Sequence, residues 1–223
     1  YTRVDTGDYS LDSVGVSLTL RNRLELSYAR QRFDIGELQQ RLSLPVSSFG
    51  QEIIGAKLRL GGDLVYSKAP QVSVGVQRKR QLDFAIPQAV GARDDQGTDV
   101  YLAVTKLYLA GLSGRHLLLN GTLRSTRANQ AGLLGFGGDR KGGRSLVLEG
   151  SAAVMLNPRW VVGIEYRQKP DNLRFAREDD WKDAFIAWFP NKHVSVVGAY
   201  ADLGSIATLE RQRGAYLSVQ VAY

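Results

Sequence analysis

The chain has 223 residues, a formal charge of +7, two histidines and no cysteine, which is room for one large β domain or two small ones. Disulfides and thiolate metal sites are excluded, and His116 and His193 alone leave little scope for metal or acid–base chemistry. Apolar runs such as 151–156 and 159–166 are far shorter than the roughly 20 residues of a membrane-spanning helix, and no signal peptide opens the chain at Tyr1, so it reads as mature, truncated or cytosolic.

No stretch repeats apolar residues at helical spacing. Segments of about ten residues with alternating polarity recur instead, separated by Gly, Asp, Asn and Pro clusters. Residues 1–5 read as the end of a strand that begins at or before the first residue. The next strand, near 9–21, sets Val14, Val16, Leu18 and Leu20 against Ser13, Gly15, Ser17 and Thr19. Near 23–34, Leu24, Leu26 and Tyr28 oppose Glu25, Ser27 and Ala29. Near 51–61, Ile54, Ala56, Leu58 and Leu60 oppose Gly55, Lys57 and Arg59. Strands near 71–84, 98–111 and 116–128 follow, the second with ambiguous faces. Near 145–156, Leu146, Leu148, Ala152 and Val154 oppose Val147, Glu149, Ser151 and Ala153. Near 159–168, Trp160, Val162, Ile164 and Tyr166 oppose Val161, Gly163, Glu165 and Arg167. Strands near 181–190 and 193–203 have ambiguous faces, and the last, 213–223, aligns Ala215, Leu217, Val219, Val221 and Tyr223. The total is twelve.

The connections alternate in length. Short turns at 21–22, 113–115, 157–159 and 190–192, with a longer one at 61–70, fall at one end of a meander. Long polar connections at 35–50, 85–97, 129–143, 169–180 and 204–212, with a brief one at 6–8, fall at the other. Outer-membrane barrels sort their loops in this way, and strands of about 9–11 residues span a bilayer core when tilted. The fold class is therefore all-β, a transmembrane up-and-down antiparallel barrel of about twelve strands, with residues 1–223 as one domain. Alternation directs Leu58, Leu148, Val162 and Val219 to lipid. It directs Glu25, Lys57, Arg59, Lys106, Arg124, Glu149, Glu165, Arg167 and Gln220 to the lumen. Aromatics sort into two bands: Tyr66, Tyr108, Trp160, Trp188, Phe189 and Tyr223 near the short turns, and Tyr9, Phe33, Phe84, Tyr101, Tyr166, Trp181, Tyr200 and Tyr216 near the long loops. They read as girdles at the two headgroup levels. An alternating last strand ending in Tyr223 reads as the signal taken by the barrel-insertion machinery.

The Gly-rich stretch 132–145 lacks P-loop spacing and precedes a strand rather than a helix, so it reads as a flexible outer loop. Both histidines lie beside short turns with no neighbouring Ser, so no catalytic site is expected and the chain is not read as an enzyme. The acidic clusters Asp94, Asp95, Asp99 and Asp171, Glu178, Asp179, Asp180 lack EF-hand spacing and read as loop charge. No cofactor or metal is implied. Sixteen of the 29 cationic residues fall at the long-loop end. Among them Arg30, Arg32, Arg78, Lys79, Arg80 and Arg127 form a candidate lipopolysaccharide-binding group, because Arg forks match phosphate oxygens. A barrel rim meets no nucleic acid.

The stretches 23–34, 117–140 and 165–204 resemble a proteobacterial domain-of-unknown-function family of predicted outer-membrane proteins, and the resemblance covers nearly the whole chain. It implies a bacterial outer-membrane location, a signal peptide and further residues before Tyr1, and it assigns no activity. Two functions fit. One is a small porin-like channel with a charged lumen. The other is a plugged structural barrel that anchors a protein partner in the envelope.

Overall fold

The computed structural model describes residues 1–36, 39, 46–175, 177–206, 209 and 211–223. Parts of the 35–50 and 204–212 connections lie outside the described residues. The strands are β1 (Thr2–Asp5), β2 (Ser10–Leu20), β3 (Leu24–Asp34), β4 (Ser48–Gly61), β5 (Gln71–Gln81), β6 (Ala92–Asp94) and β7 (Gln96–Leu112). After them come β8 (Arg115–Thr126), β9 (Phe136–Gly138), β10 (Ser145–Asn157), β11 (Trp160–Arg167), β12 (Trp181–Asn191), β13 (Val194–Asp202) and β14 (Arg213–Val221). All of these except β6 and β9 close one antiparallel barrel of twelve strands, each pairing with its sequence neighbours. The twelve predicted segments are the twelve barrel strands. Closure is made by β1 against β14, with Arg3 opposite Leu217, so the last strand has no open edge.

The short turns carry the chemistry that tight reversal needs. Arg21 and Asn22, then Ser113 and Gly114, hold positive φ, as primed hairpin turns require. Asn157 and Asn191 each accept two backbone N–H bonds from the residues two and three positions on, the local closure typical of Asx turns. The longer 61–70 connection lies against β7, where Leu107 N–H donates to the Leu64 carbonyl at 2.8 Å.

The outer wall follows the alternation. Val14, Val16, Leu18, Ile54, Leu146, Leu148 and Ile164 are all exposed, as lipid contact requires. Leu58 and Val219 share that wall, and Val162 joins it through register with Val154 and Ile186. The short-turn band of aromatics is an outer girdle, with Tyr66, Tyr108, Trp160, Trp188, Phe189 and Tyr223 exposed and Trp160 stacked on Trp188 at 6.0 Å.

The long-loop band corrects the sequence reading. Only Tyr166 and Tyr200 of that band are exposed on the wall. Tyr9 and Phe33 are buried and stacked at 5.2 Å, with Phe49 beyond at 5.3 Å from Phe33. Together with Ile35, Ala92, Leu133, Leu134, Leu173 and Ile206 they form the main apolar core of the molecule. That core is a lid across the long-loop mouth. A barrel that turns its apolar rows outward must find its compact core elsewhere, and here the loops supply it.

Candidate functional site

The lumen beneath the lid is polar and charged. Lys79 on β5 reaches Asp99 on β7 at 2.9 Å, and both side chains are buried. Asp99 lies 3.7 Å from Arg124 on β8. Arg124 forks onto Glu149 of β10, with contacts of 2.6 and 3.3 Å, and bonds Gln77 at 2.9 Å. Its guanidinium lies 4.7 Å from the centre of the Tyr101 ring. Glu149 is also 3.6 Å from Arg167 on β11, which covers the Trp181 ring at 5.8 Å. Five charged residues on five strands thus form one chain across the interior. Each strand contributes through its inward row. Gly75 is what admits Tyr101, since a Cβ there would lie 2.2 Å from the ring.

Seven of the eight predicted lumen charges lie on inward rows. Glu25 opposes Lys57, Glu165 opposes Asp183, and Arg59 turns toward Asp63 at 3.6 Å. Lys106 is the correction. Register pairs it with Leu119 on the outer face, and its ammonium bonds the carbonyls of Asp63, Val65 and Ser67. A lysine on the lipid wall places its head at the polar end of the strand, where those carbonyls compensate it.

Lys79 is the second correction. Predicted on the rim, it is buried in the interior and donates to the Ala131 carbonyl of the lid at 2.9 Å. Arg127 is tied to Asp94 at 2.6 Å. Arg30, Arg32, Arg78 and Arg80 remain exposed on the outer wall.

The Gly-rich 132–145 stretch is not a free outer loop. It folds inward with Phe136 fully buried, and Gln81 donates to the carbonyls of Gly132 and Leu133. Asn129 and Asn172 are buried and bonded to each other at 3.0 Å. Gln130 and Ala131 take left-handed conformations at the turn.

A clasp holds the lid. Lys169 and Glu178 are 3.0 Å apart with both side chains almost fully buried. Lys169 also bonds Gln130 and the carbonyls of Leu203 and Ser205, and Glu178 accepts from Gln130. Three long connections meet at this pair. Burial pushes the Glu178 carboxyl up and the Lys169 ammonium down, so each charge persists there only because the other is present. Burial also pushes the Tyr9 phenol up to about 12, and its hydroxyl bonds the Ile206 carbonyl.

Between lid and charge chain lies a cavity of about 610 Å³, bordered by Gln130, Leu134, Glu149, Glu165, Asp183 and Tyr216 among others. Gln220 borders it as well, and the inward-facing Ser17 and Thr19 of β2 are solvent-exposed. The apolar lid lies at the long-loop end of this interior. Among the described residues, four of the seven members of the acidic clusters are in ion pairs: Asp94 with Arg127, Asp99 with Lys79, Asp171 with Arg140 and Glu178 with Lys169. His116 accepts from Ala110 N–H at 3.1 Å and His193 contacts the Ala222 carbonyl at 2.8 Å, both beside short turns.

Among solved structures, the chain is similar to outer membrane phospholipase A from Escherichia coli, with a TM-score of 0.44 and 8% identity over 96% of this chain and 78% of that one. It is also similar to the Salmonella typhi outer membrane phospholipase dimer with bound calcium, with a TM-score of 0.40 and 7% identity over 96% and 77% of the two chains. At these identities the likeness is one of barrel architecture. A search of curated proteins gives no match. Residues 1–220 match the family described as Protein of unknown function (DUF3034), and the chain belongs to that family.

Proposed function

We propose that this barrel resides in a bacterial outer membrane and acts as a small-solute pore with a charged lumen, closed at its outer mouth by a hinged lid. The observation that carries this reading is the lidded polar interior. On β2 and β14 the inward-facing Ser17, Thr19 and Gln220 are polar and exposed, and the folded loops lie over the cavity at the long-loop end. The lid is held by side-chain contacts centred on the Lys169–Glu178 clasp, which a modest rearrangement can break. The short-turn end faces the periplasm in this orientation, as in other barrels of this type. Barrel insertion through β14 fits its alternating outer row and terminal Tyr223.

The test is conductance in planar bilayers. The double variant Lys169→Met/Glu178→Gln removes both charges of the clasp, so neither is left buried alone. The parent is expected to be mostly closed, and the double variant to open more often or more widely. Silence from both, with folding confirmed, would contradict a pore. That outcome would favour the second reading, a plugged structural barrel that docks an envelope protein, for which the buried apolar lid is the supporting observation.

A further inference from the structure

We infer that the outer wall over β3–β5 holds a binding site for the phosphates of an outer-leaflet glycolipid, lipopolysaccharide, in which Arg30, Arg32, Arg78 and Arg80 are the ligating side chains. This rests on the membrane reading above and adds a specific lipid to it.

The site is set by register. Arg30, Glu52 and Arg80 are direct lateral neighbours on β3, β4 and β5. Arg32 and Arg78 lie one step up and one step down on the same wall. Val14 and Ile54 lie directly beside Arg30 and Arg78, and Val16, Leu26 and Val76 come below, all exposed. The four guanidinium groups therefore sit at the upper edge of the apolar band, where acyl chains end and headgroups begin. Among the described residues Glu52 is the one carboxylate in ion-pair contact with any of them, 3.6 Å from Arg80. Arg78 bonds the Gln96 amide at 2.7 Å and Arg32 the Ser48 hydroxyl at 3.2 Å, contacts that orient the forks without neutralising them.

The same height on the opposite wall is different. There Lys182 and Asp202 are register neighbours, and Asp202 holds Arg213 at 2.8 Å. That wall sets two cations against one carboxylate, whereas the β3–β5 wall sets four arginines against Glu52 and, opposite Arg32, Asp12 of β2. The larger excess of positive charge calls for anions fixed in the headgroups, and Arg forks bind phosphate bidentately. Strands lie about 4.8 Å apart, so the cluster spreads over roughly 10 Å across β3 to β5. That breadth suits two phosphates borne on one disaccharide headgroup better than the single phosphate of a glycerophospholipid.

The experiment uses the folded chain in detergent, with folding verified by heat-dependent mobility. Thermal stabilisation and retained lipid are measured with added lipopolysaccharide, with phosphatidylglycerol and with inorganic phosphate. The parent is expected to be stabilised by lipopolysaccharide more than by either alternative. Arg30→Gln/Arg32→Gln/Arg78→Gln/Arg80→Gln is expected to weaken that binding by about tenfold or more, since single exposed contacts count for little and four together count. Lys182→Gln/Arg213→Gln should leave it unchanged. Glu52→Gln, which removes the carboxylate in ion-pair contact with the cluster, should strengthen it, a gain that no loss of folding can imitate. Equal stabilisation by phosphatidylglycerol, unchanged binding in the fourfold variant, or no gain in Glu52→Gln would each overturn the site. A parent that fails to insert into bilayers would instead overturn the membrane reading beneath it.

Discussion

Lys79 shows how a single side chain is placed by its neighbours' parity. It lies in the run Arg78–Lys79–Arg80, which as composition looks like one basic patch. On β5 the outer row Val72, Val74 and Val76 continues as Arg78 and Arg80, so Lys79 must point inward. The same rule puts Lys106 on the outer row after Val100, Leu102 and Val104, and it puts Asp99 and Tyr101 inside. The β5 placement was legible in the alternation, whereas that of β7, with its ambiguous faces, is fixed by its register with β8. What was not legible is why a buried lysine is tolerable, because Asp99 is 20 residues away in sequence and meets it only across the β5–β7 pairing. The pair makes a definite expectation. Lys79→Met leaves buried Asp99 with only the more distant Arg124, 3.7 Å away, and should lower unfolding stability by up to about 3 kcal/mol. Lys79→Met/Asp99→Leu removes both charges and should recover much of that loss. Denaturant titration in detergent reads the difference, and a single variant no worse than the double would show that the pair is not a unit.

At the level of the element, the barrel strands were readable and the loops were not. Alternation, length and turn residues found all twelve barrel strands, since each signal is local. The lid depends on contacts between connections far apart in the chain: Tyr9 with Ile206, Asn129 with Asn172, Lys169 with Ser205. A hint did exist. Leu133, Leu134 and Phe136 are apolar residues in a supposed outer loop, and Phe33, Phe49 and Leu173 lie near other long connections. Apolar side chains in several loops at one end need a shared place to be buried. The strands themselves invite a paired test. Val16 is exposed on the outer wall near the middle of β2, and Ser17 faces the lumen beside Ser27. Val16→Arg should cost about 2–4 kcal/mol of folding into lipid, the penalty for a cation at mid-depth. Ser17→Arg enters an aqueous lumen and should cost far less. Folding titrations into lipid vesicles compare them, and equal penalties would contradict the assignment of faces.

Taken whole, the molecule divides its surfaces by solvent. The outer wall is apolar, the interior carries a chain of charges, and the lid is the compact apolar core of ordinary kind among the described residues. Twelve strands enclose enough room for a solute path or for a packed interior, and the inward rows use that room unevenly. The charge chain from Lys79 to Arg167 crosses beneath the lid, while Ser17, Thr19 and Gln220 are polar, inward-facing and exposed on β2 and β14. The central claim is that solute passes through this lumen once the lid opens. The chain has no cysteine, so a single introduced thiol reports its own surroundings. In the Lys169→Met/Glu178→Gln background, Thr19→Cys faces the lumen and Leu18→Cys faces lipid. Current through the protein in a planar bilayer is recorded before and after a charged, water-soluble thiol reagent is added on the short-turn side. Current should fall on modification of Thr19→Cys and stay constant with Leu18→Cys; unchanged current in the lumen variant, after confirmed modification, would contradict a path through the barrel.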